Sequence, residues 1–268
     1  KEQFSYDKTG LNARVEWKNE ESRDWTQEKI SFDAAYGKER VTAYLFLPKN
    51  VSPPFQTAVY FPGETSSSPT SSQDLDKYWE FEYFLSFIVK NRRAVLYPVY
   101  KGTFERRDDA LTQIRGGADT YQFTEYLIQI IKDLKRCIDY LETRADIDSK
   151  KIAYIGMSWG GWLGAIIPAV EERIKANILV LGGLGGKGRP EAKGINYVRH
   201  IKSPTLMLNG RYDVGFPYET TVKPMLDLLG TPAEQKKSLL YDTDHFVPRN
   251  ELIKETLAWL DKYLGPVK

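Results

Sequence analysis

Six short apolar runs constrain the fold of this chain more than any other feature. Each run is nearly continuous in aliphatic and aromatic residues. Strands of this composition are typical of a parallel sheet that is buried on both faces. The runs span residues 57–61, 94–99, 152–155, 177–181, 205–208 and 238–241.

Amphipathic segments lie between these runs. Residues 121–142 carry apolar side chains at spacings of three and four, which predicts a helix with one buried face. Helices are also predicted over 159–170, 218–229 and 250–264. Alternation of strands and helices predicts an α/β fold with a doubly wound, mostly parallel sheet. Residues 11–48 instead alternate charged and apolar residues, which predicts antiparallel strands at its edge.

Length and composition limit the possible functions. We expect one domain over residues 1–268, with edge strands in 1–48 and a catalytic core in 49–268. Lys and Arg number 38 against 36 Asp and Glu, and the sequence contains no basic block dense enough to follow a phosphate backbone. Nucleic acid is therefore not an expected partner. No apolar run is long enough for a bilayer, so we expect a soluble protein without a membrane partner, with the cytoplasm favoured. The chain begins without Met, so we expect either a processed protein or a piece of a longer one.

The cysteine and histidine counts restrict the chemistry further. Cys137 is the one cysteine, and His200 and His245 are the two histidines. These counts exclude a disulfide within the chain, a thiolate metal cluster and a multi-histidine zinc site. We therefore expect neither a metal nor a cofactor.

The pentapeptide Gly156-Met-Ser-Trp-Gly160 follows the run at 152–155 and precedes a predicted helix. A serine on a sharp strand-to-helix turn leaves no room for side chains two residues away, so glycines are required there. Ser158 is therefore the candidate nucleophile. A serine hydroxyl is a poor nucleophile near neutrality and needs an adjacent base.

The partners of the serine are sought at strand ends, where parallel sheets bind ligands. His245 follows the last strand and is the candidate base, whereas His200 leads into a strand from its other end. Asp213 follows the run at 205–208 and is the candidate acid that orients the imidazole. Asp242 and Asp244 are rivals, but both are so close to His245 in sequence that they reach its far nitrogen awkwardly.

Acyl transfer also needs donors for a developing oxyanion. The backbone N–H of Trp159 is one candidate, and the N–H of Glu64, after Pro62-Gly63, is the other. The serine-rich stretch 65–72 is expected to form a mobile loop. Five side chains near strand ends are candidates for a substrate pocket: Tyr100, Lys101, Phe104, Trp162 and Phe216.

The stretch 144–161, Asn209-Gly-Arg-Tyr-Asp213 and Asp244-His245 together resemble the α/β-hydrolase superfamily, and more narrowly its dienelactone-hydrolase-like and prolyl-oligopeptidase-like serine hydrolases. The resemblance covers roughly residues 40–265 and implies an acyl esterase that acts on small-molecule esters. Two departures stand out. Dienelactone hydrolases proper carry a cysteine nucleophile where this chain has Ser158, and many relatives have His-Gly where it has Pro62-Gly63.

Several alternatives stay open at this stage. A peptidase of the prolyl-oligopeptidase type is the nearest, and a non-catalytic interaction domain is another. Residues 183–188 match the dinucleotide pattern G-x-G-x-x-G, but Arg189-Pro190 stands where its helix should begin. The connection 181–203, which includes Lys187, is too short for a lid domain, so we expect an open site that favours short acyl groups. The oligomeric state and the alcohol part of the ester cannot be read from the sequence.

Overall fold

The computed structural model describes residues 2–8, 10–107, 119–185 and 188–267. Its nine strands belong to one mixed sheet in the order β1-β2-β3-β5-β4-β6-β7-β8-β9. The strands are β1 (Arg14–Asn19), β2 (Trp25–Asp33), β3 (Arg40–Pro48), β4 (Phe55–Phe61), β5 (Ala94–Val99), β6 (Ile147–Met157), β7 (Ile174–Val180), β8 (Thr205–Gly210) and β9 (Lys236–Tyr241).

The pairing of the strands agrees with the prediction. β1, β2, β3 and β5 pair successively in antiparallel fashion, whereas β4 with β5, β7 with β8 and β8 with β9 are parallel. The predicted α/β fold with antiparallel edge strands is therefore confirmed. The helices are α1 (Ser86–Lys90), α2 (Tyr121–Glu142), α3 (Trp159–Leu163), α4 (Ile167–Val170), α5 (Lys223–Leu228) and α6 (Arg249–Leu264).

The chain divides into two compact units. The first contains the described residues within 1–59 and 65–152, together with residue 267. Its long helix α2 begins at Thr120, whose side chain accepts a hydrogen bond from the Phe123 N–H at 3.2 Å and so caps the helix. One face of α2 is fully buried, as its periodicity predicts. Asp133 on this helix is 0% exposed, and its carboxylate pairs with the Arg106 guanidinium at 2.6 Å.

The second unit spans residues 60–64 and 153–266. Its strands β7 and β8 are buried almost throughout, and helices α3 and α6 pack on β7. Ser158, Asp213 and His245 follow the carboxyl ends of β6, β8 and β9, respectively. Parallel strands thus bring side chains that are distant in sequence to one edge of this unit.

Three helical segments differ from the sequence prediction. The helix predicted over 159–170 is divided into α3 and α4, since Pro168 in the second part supplies no N–H to continue the first. The segment 218–229 begins with a wide π-helical turn, Tyr218–Val222, before α5. A similar π-helical turn, Phe81–Leu85, precedes α1 in a segment without a predicted element.

The serine-rich stretch after β4 is partly buried. Glu64–Ser67 form a short 3₁₀ turn, Ser66 is 0% exposed and Ser72 is 1% exposed. In the connection after β7, the described residues form three 3₁₀ turns, and Lys187 lies outside the described residues. Neither this connection nor any other described segment forms a separate lid domain. No helix within the described ranges is long and apolar enough to cross a membrane.

Candidate active site

Ser158 stands on a sharp turn between β6 and α3. Its backbone has φ 51° and ψ −100°, a conformation that is strained for a residue with a side chain. The turn is fixed on both sides, because the Ser158 N–H donates to the Val180 carbonyl at 2.8 Å and the Ser158 carbonyl accepts from the Trp162 N–H at 2.8 Å. The strained backbone is therefore held by the surrounding fold.

The two glycines that flank the serine are required by close backbone approach. A Cβ atom on Gly156 would lie 2.4 Å from the Gly160 carbonyl oxygen. A Cβ on Gly160 would lie 2.2 Å from the Phe61 carbonyl oxygen. No side chain fits at either position, which is the physical reason for the G-x-S-x-G spacing.

His245 lies beside the serine. Its Nε2 is 2.9 Å from the Ser158 Oγ, although the two residues are 87 positions apart in sequence. The imidazole is partly exposed, and the ring of Phe216 lies nearly parallel to it at a centroid distance of 6.2 Å. The distance suits proton transfer from the hydroxyl to the imidazole.

Asp213 contacts the other nitrogen of the imidazole. Its Oδ2 is 2.7 Å from His245 Nδ1, and its Oδ1 accepts hydrogen bonds from the N–H groups of Gly215 at 2.8 Å and Phe216 at 3.0 Å. Burial by itself raises the pKa of Asp213. The hydrogen bonds and the charge of His245 outweigh burial, so the pKa of Asp213 lies below its ordinary value and the carboxylate stays ionised.

The loops after β8 and β9 are joined by backbone contacts. The Arg211 N–H donates to the Tyr241 carbonyl at 2.7 Å, and the Tyr212 N–H donates to the Thr243 carbonyl at 2.9 Å. These bonds continue the pairing of the two parallel strands beyond their ends. They hold the loop that carries Asp213 against the loop that carries His245.

The rival residues lie elsewhere. The Asp242 carboxylate accepts from Arg211 Nε at 2.7 Å and is 75% exposed. Asp244 is exposed, and no hydrogen bond links its carboxylate to His245 among the described residues. His200 is exposed in a 3₁₀ turn, Val198–His200, before β8. Of the candidate acids and bases, the structure brings together Ser158, His245 and Asp213.

The two candidate oxyanion donors lie on segments that touch. The Gly160 N–H donates to the Pro62 carbonyl at 3.2 Å, which joins the serine turn to the loop after β4. The Trp159 ring packs edge-to-face on Phe61 at 5.2 Å between centroids. Trp159 therefore follows Ser158 on a fixed segment, and Glu64 comes two residues after Pro62 with its side chain exposed.

The candidate pocket residues divide between the two units. In the second unit, Phe216 stacks beside His245, and Trp162 is 8% exposed, with its indole directly against Gly185. In the first unit, Tyr100 and Phe104 are 0% and 1% exposed. The ring of Phe104 packs edge-to-face on the rings of Tyr78 and Tyr97.

Lys101, the remaining candidate, is held by its own surroundings in the first unit. Its ammonium group pairs with Glu39 at 2.5 Å and lies 5.0 Å from the centre of the Tyr36 ring. Cys137 is fully buried on α2, where burial raises the pKa of its thiol, so it offers no exposed thiolate.

Three supporting groups are not predicted from the sequence. The N–H groups of Gly215 and Phe216 bind the carboxylate of Asp213, and the turn-forming pattern Asp213-Val-Gly215 carries a signal for the first of these bonds. The Tyr154 hydroxyl donates to the Gly160 carbonyl at 2.7 Å and braces the serine turn from below. The contact between Tyr154 and Gly160 is visible only in the folded structure. Among the described residues, no group of three His, Cys, Asp or Glu side chains could hold a metal ion.

Comparison with known proteins places this geometry in context. Residues 94–228 match the Dienelactone hydrolase family. A curated relative, the alpha/beta hydrolase domain-containing protein WAV2 of Arabidopsis thaliana, is 30% identical over 33% of this chain, and the match spans 38% of that protein.

Solved structures resemble the whole fold. An acetyl xylan esterase from Paenibacillus sp. R4 has a TM-score of 0.71 and 18% identity, covering 95% of this chain and 89% of that one. A cold-adapted esterase from an Arctic intertidal metagenomic library has a TM-score of 0.69 and 18% identity, covering 95% of this chain and all of that one, 100%. At such identities the likeness establishes a common α/β-hydrolase fold.

Proposed function

Because the chain belongs to the dienelactone hydrolase family, we propose that it is a serine hydrolase that cleaves carboxylic esters. The observation that carries this proposal is the hydrogen-bonded series from Ser158 Oγ to His245 Nε2 at 2.9 Å and from His245 Nδ1 to Asp213 Oδ2 at 2.7 Å. A hydroxyl, an imidazole and a buried carboxylate in this order form the arrangement that activates a serine.

In the first half of the reaction, Ser158 Oγ attacks the carbonyl carbon of the ester while His245 Nε2 accepts the hydroxyl proton. The Asp213 carboxylate fixes the imidazole with Nδ1–H toward itself and stabilises the imidazolium that forms. The tetrahedral intermediate then collapses. The bond from carbon to the alcohol oxygen breaks, and His245 returns the proton to the departing alcohol.

The negative charge on the carbonyl oxygen needs donors while the intermediate exists. We assign this role to the backbone N–H groups of Trp159 and Glu64. Support comes from the fixed position of Trp159 directly after the nucleophile and from the bond between Gly160 and Pro62 that joins the two segments. Donors that are already oriented need no reorganisation when the charge develops.

The second half of the reaction releases the acid. A water molecule gives a proton to His245 Nε2 and attacks the acyl carbon, and the bond to Ser158 Oγ then breaks as the proton returns to the serine. Because the described residues form no lid over the second unit, we propose small esters with short acyl groups as substrates. Phe216, which stacks beside His245, offers them one aromatic surface.

The proposal is tested with nitrophenyl esters and aminoacyl anilides, assayed on the wild type and on Ser158→Ala. We expect ester turnover by the wild type, little anilide turnover, and a decrease in kcat of about a million-fold in the variant. Ser203→Ala, at a serine of the same unit outside the triad, is the matched control and should keep its activity.

Three other outcomes would each contradict part of the proposal. A preference for anilides would favour the peptidase alternative. A wild type that turns over neither substrate class would favour the non-catalytic alternative. Ester turnover that survives in Ser158→Ala would remove Ser158 as the nucleophile.

A further inference from the structure

A polar cavity lies in the first unit, on the face of β1 and β2. Its volume is about 730 Å³, within the range of pockets that hold small ligands. All the residues that line it belong to the first unit, and none takes part in the chemistry proposed for Ser158. They come from the two strands, from Glu21 shortly after β1 and from the segment 71–77.

Strand register places four of the lining side chains on one face. Trp17 is opposite Lys29, and Asn19 is opposite Gln27, in the antiparallel pair β1 and β2. Side chains two residues apart on a strand point to the same side, so these four form a compact square. The half-buried Trp17 ring is braced edge-to-face against Tyr44 at 6.0 Å between centroids, which fixes its orientation.

Gln27 carries an unsatisfied polar group in this cavity. The side chain is 2% exposed, and its Nε2 donates no hydrogen bond to any residue in the described ranges. A buried amide without a protein partner is costly in free energy, so it favours a bound group there, either a water molecule or a ligand. The group must accept hydrogen bonds.

The charges around the cavity exclude a polyanion. Three lysines, Lys18, Lys29 and Lys77, are balanced by Glu21, Asp74 and Asp76 among the lining residues. Each lysine already pairs with a carboxylate: Lys18 with Glu20 at 2.8 Å, Lys77 with Asp74 at 3.0 Å, and Lys29 with Glu105 at 3.5 Å. No excess positive charge is left to hold phosphates or uronates.

We propose that this cavity is a binding site for a neutral oligosaccharide. A sugar ring has a C–H face that packs on the electron-rich face of an aromatic ring such as Trp17. Its hydroxyls both donate and accept hydrogen bonds, which suits the amides of Asn19, Gln27 and Gln73 and the lining carboxylates. Binding at this site is separate from catalysis, so it holds or fails independently of the chemistry at Ser158.

The test is isothermal titration calorimetry of the full chain with unacylated β-1,4-linked hexasaccharides of xylose, glucose and mannose. Hexagalacturonate serves as the anionic comparison. We expect at least one neutral hexasaccharide to bind, Trp17→Ala to weaken it about tenfold, and Trp17→Phe to restore most of the affinity. Gln27→Leu, which keeps the size of the side chain and removes the amide, should weaken binding about fivefold.

The matched control is Trp79→Ala. Trp79 is 47% exposed in the same unit and packs on Phe84 outside the cavity, so this variant should bind like the wild type. The melting temperature and the turnover of a nitrophenyl ester establish that each variant is folded. The proposal is overturned if no neutral hexasaccharide binds, or if hexagalacturonate binds more tightly. It is also overturned if folded Trp17→Ala or Gln27→Leu binds as the wild type does, which would leave a bound water as the partner of Gln27.

Discussion

The Nδ1 atom of His245 lies 2.7 Å from Oδ2 of Asp213, although the two residues are 32 positions apart and follow different strands. Asp213 is 2% exposed, whereas the nearer carboxylate in sequence, Asp242, is exposed and pairs with Arg211. The strand-end loops, and not closeness in sequence, thus select the partner of the histidine.

The choice of acid is tested by amide substitutions. We predict that Asp213→Asn lowers kcat for a nitrophenyl ester about 10⁴-fold, because an amide in this position favours the wrong imidazole tautomer. Asp242→Asn and Asp244→Asn are matched controls on the loop of His245 and should retain most activity. A loss at Asp242 or Asp244 that equals the loss at Asp213 would reassign the acid.

The depressed pKa of Asp213 also predicts a dependence of stability on pH. An Asp side chain has an ordinary pKa near 3.9 when the chain is unfolded, and that of Asp213 is lower in the folded protein. Its ionised form therefore stabilises the fold above about pH 4, and this contribution disappears as the pH falls through the folded value.

Melting temperatures of the wild type and Asp213→Asn, measured between pH 3 and pH 7, check this relation. We expect the wild type to melt higher near pH 6 and the difference between the two to shrink toward pH 3. Asp242→Asn, at an exposed carboxylate, is the comparison. A gap between wild type and Asp213→Asn that widens in acid would contradict the assigned direction of the pKa.

Backbone packing around the serine predicts a stability effect at Gly160. In Gly160→Ala the new Cβ would lie 2.2 Å from the Phe61 carbonyl oxygen, so the turn or the strand has to move. We expect a loss of about 1–3 kcal/mol, seen as a melting temperature lower by several degrees, together with lower esterase activity. Gly10→Ala is the matched control, because a Cβ there meets nothing within 4 Å. Equal melting temperatures for the two variants would show that the turn has more room than its geometry indicates.

The shape of the site predicts the acyl-length profile. Because the described residues form no lid, we expect a long acyl chain to stay in water, where each unburied methylene forgoes about 0.8 kcal/mol. We expect kcat/KM on nitrophenyl esters to be greatest from acetate to butyrate and to fall steeply by octanoate. The measurement is a series of acyl lengths below and above micelle formation. Increasing activity toward long chains, or activation by micelles, would contradict an open site.

The strand framework could be predicted because its signals are local. Continuous apolar runs predict β4 to β9, and the strand-end rule predicts Ser158, Asp213 and His245 at one edge of the sheet. The glycine spacing around Ser158 likewise predicts the sharp turn that carries the serine. These features depend on the chain near each residue.

The features that could not be predicted depend on distant packing. Tyr100 and Phe104 look like pocket residues in sequence, but both are buried, and the Phe104 ring packs on Tyr78 and Tyr97. Pro168 is a local signal for the division of the helix after Ser158, whereas the sequence contains no local signal for the π-helical turns before α1 and α5. The cavity beside Trp17 becomes visible only when the register of β1 and β2 is known.

The most direct test of the central claim is to trap the acyl-enzyme site with a nitrophenyl alkylphosphonate and locate the adduct by peptide mass spectrometry. We predict one adduct per chain, on the peptide that contains Ser158, none in Ser158→Ala, and labelling at least 100-fold slower in His245→Ala. The Ser203→Ala control should be labelled as the wild type is. An adduct on any other residue, or undiminished labelling of folded Ser158→Ala, would contradict the assignment of Ser158 as the nucleophile.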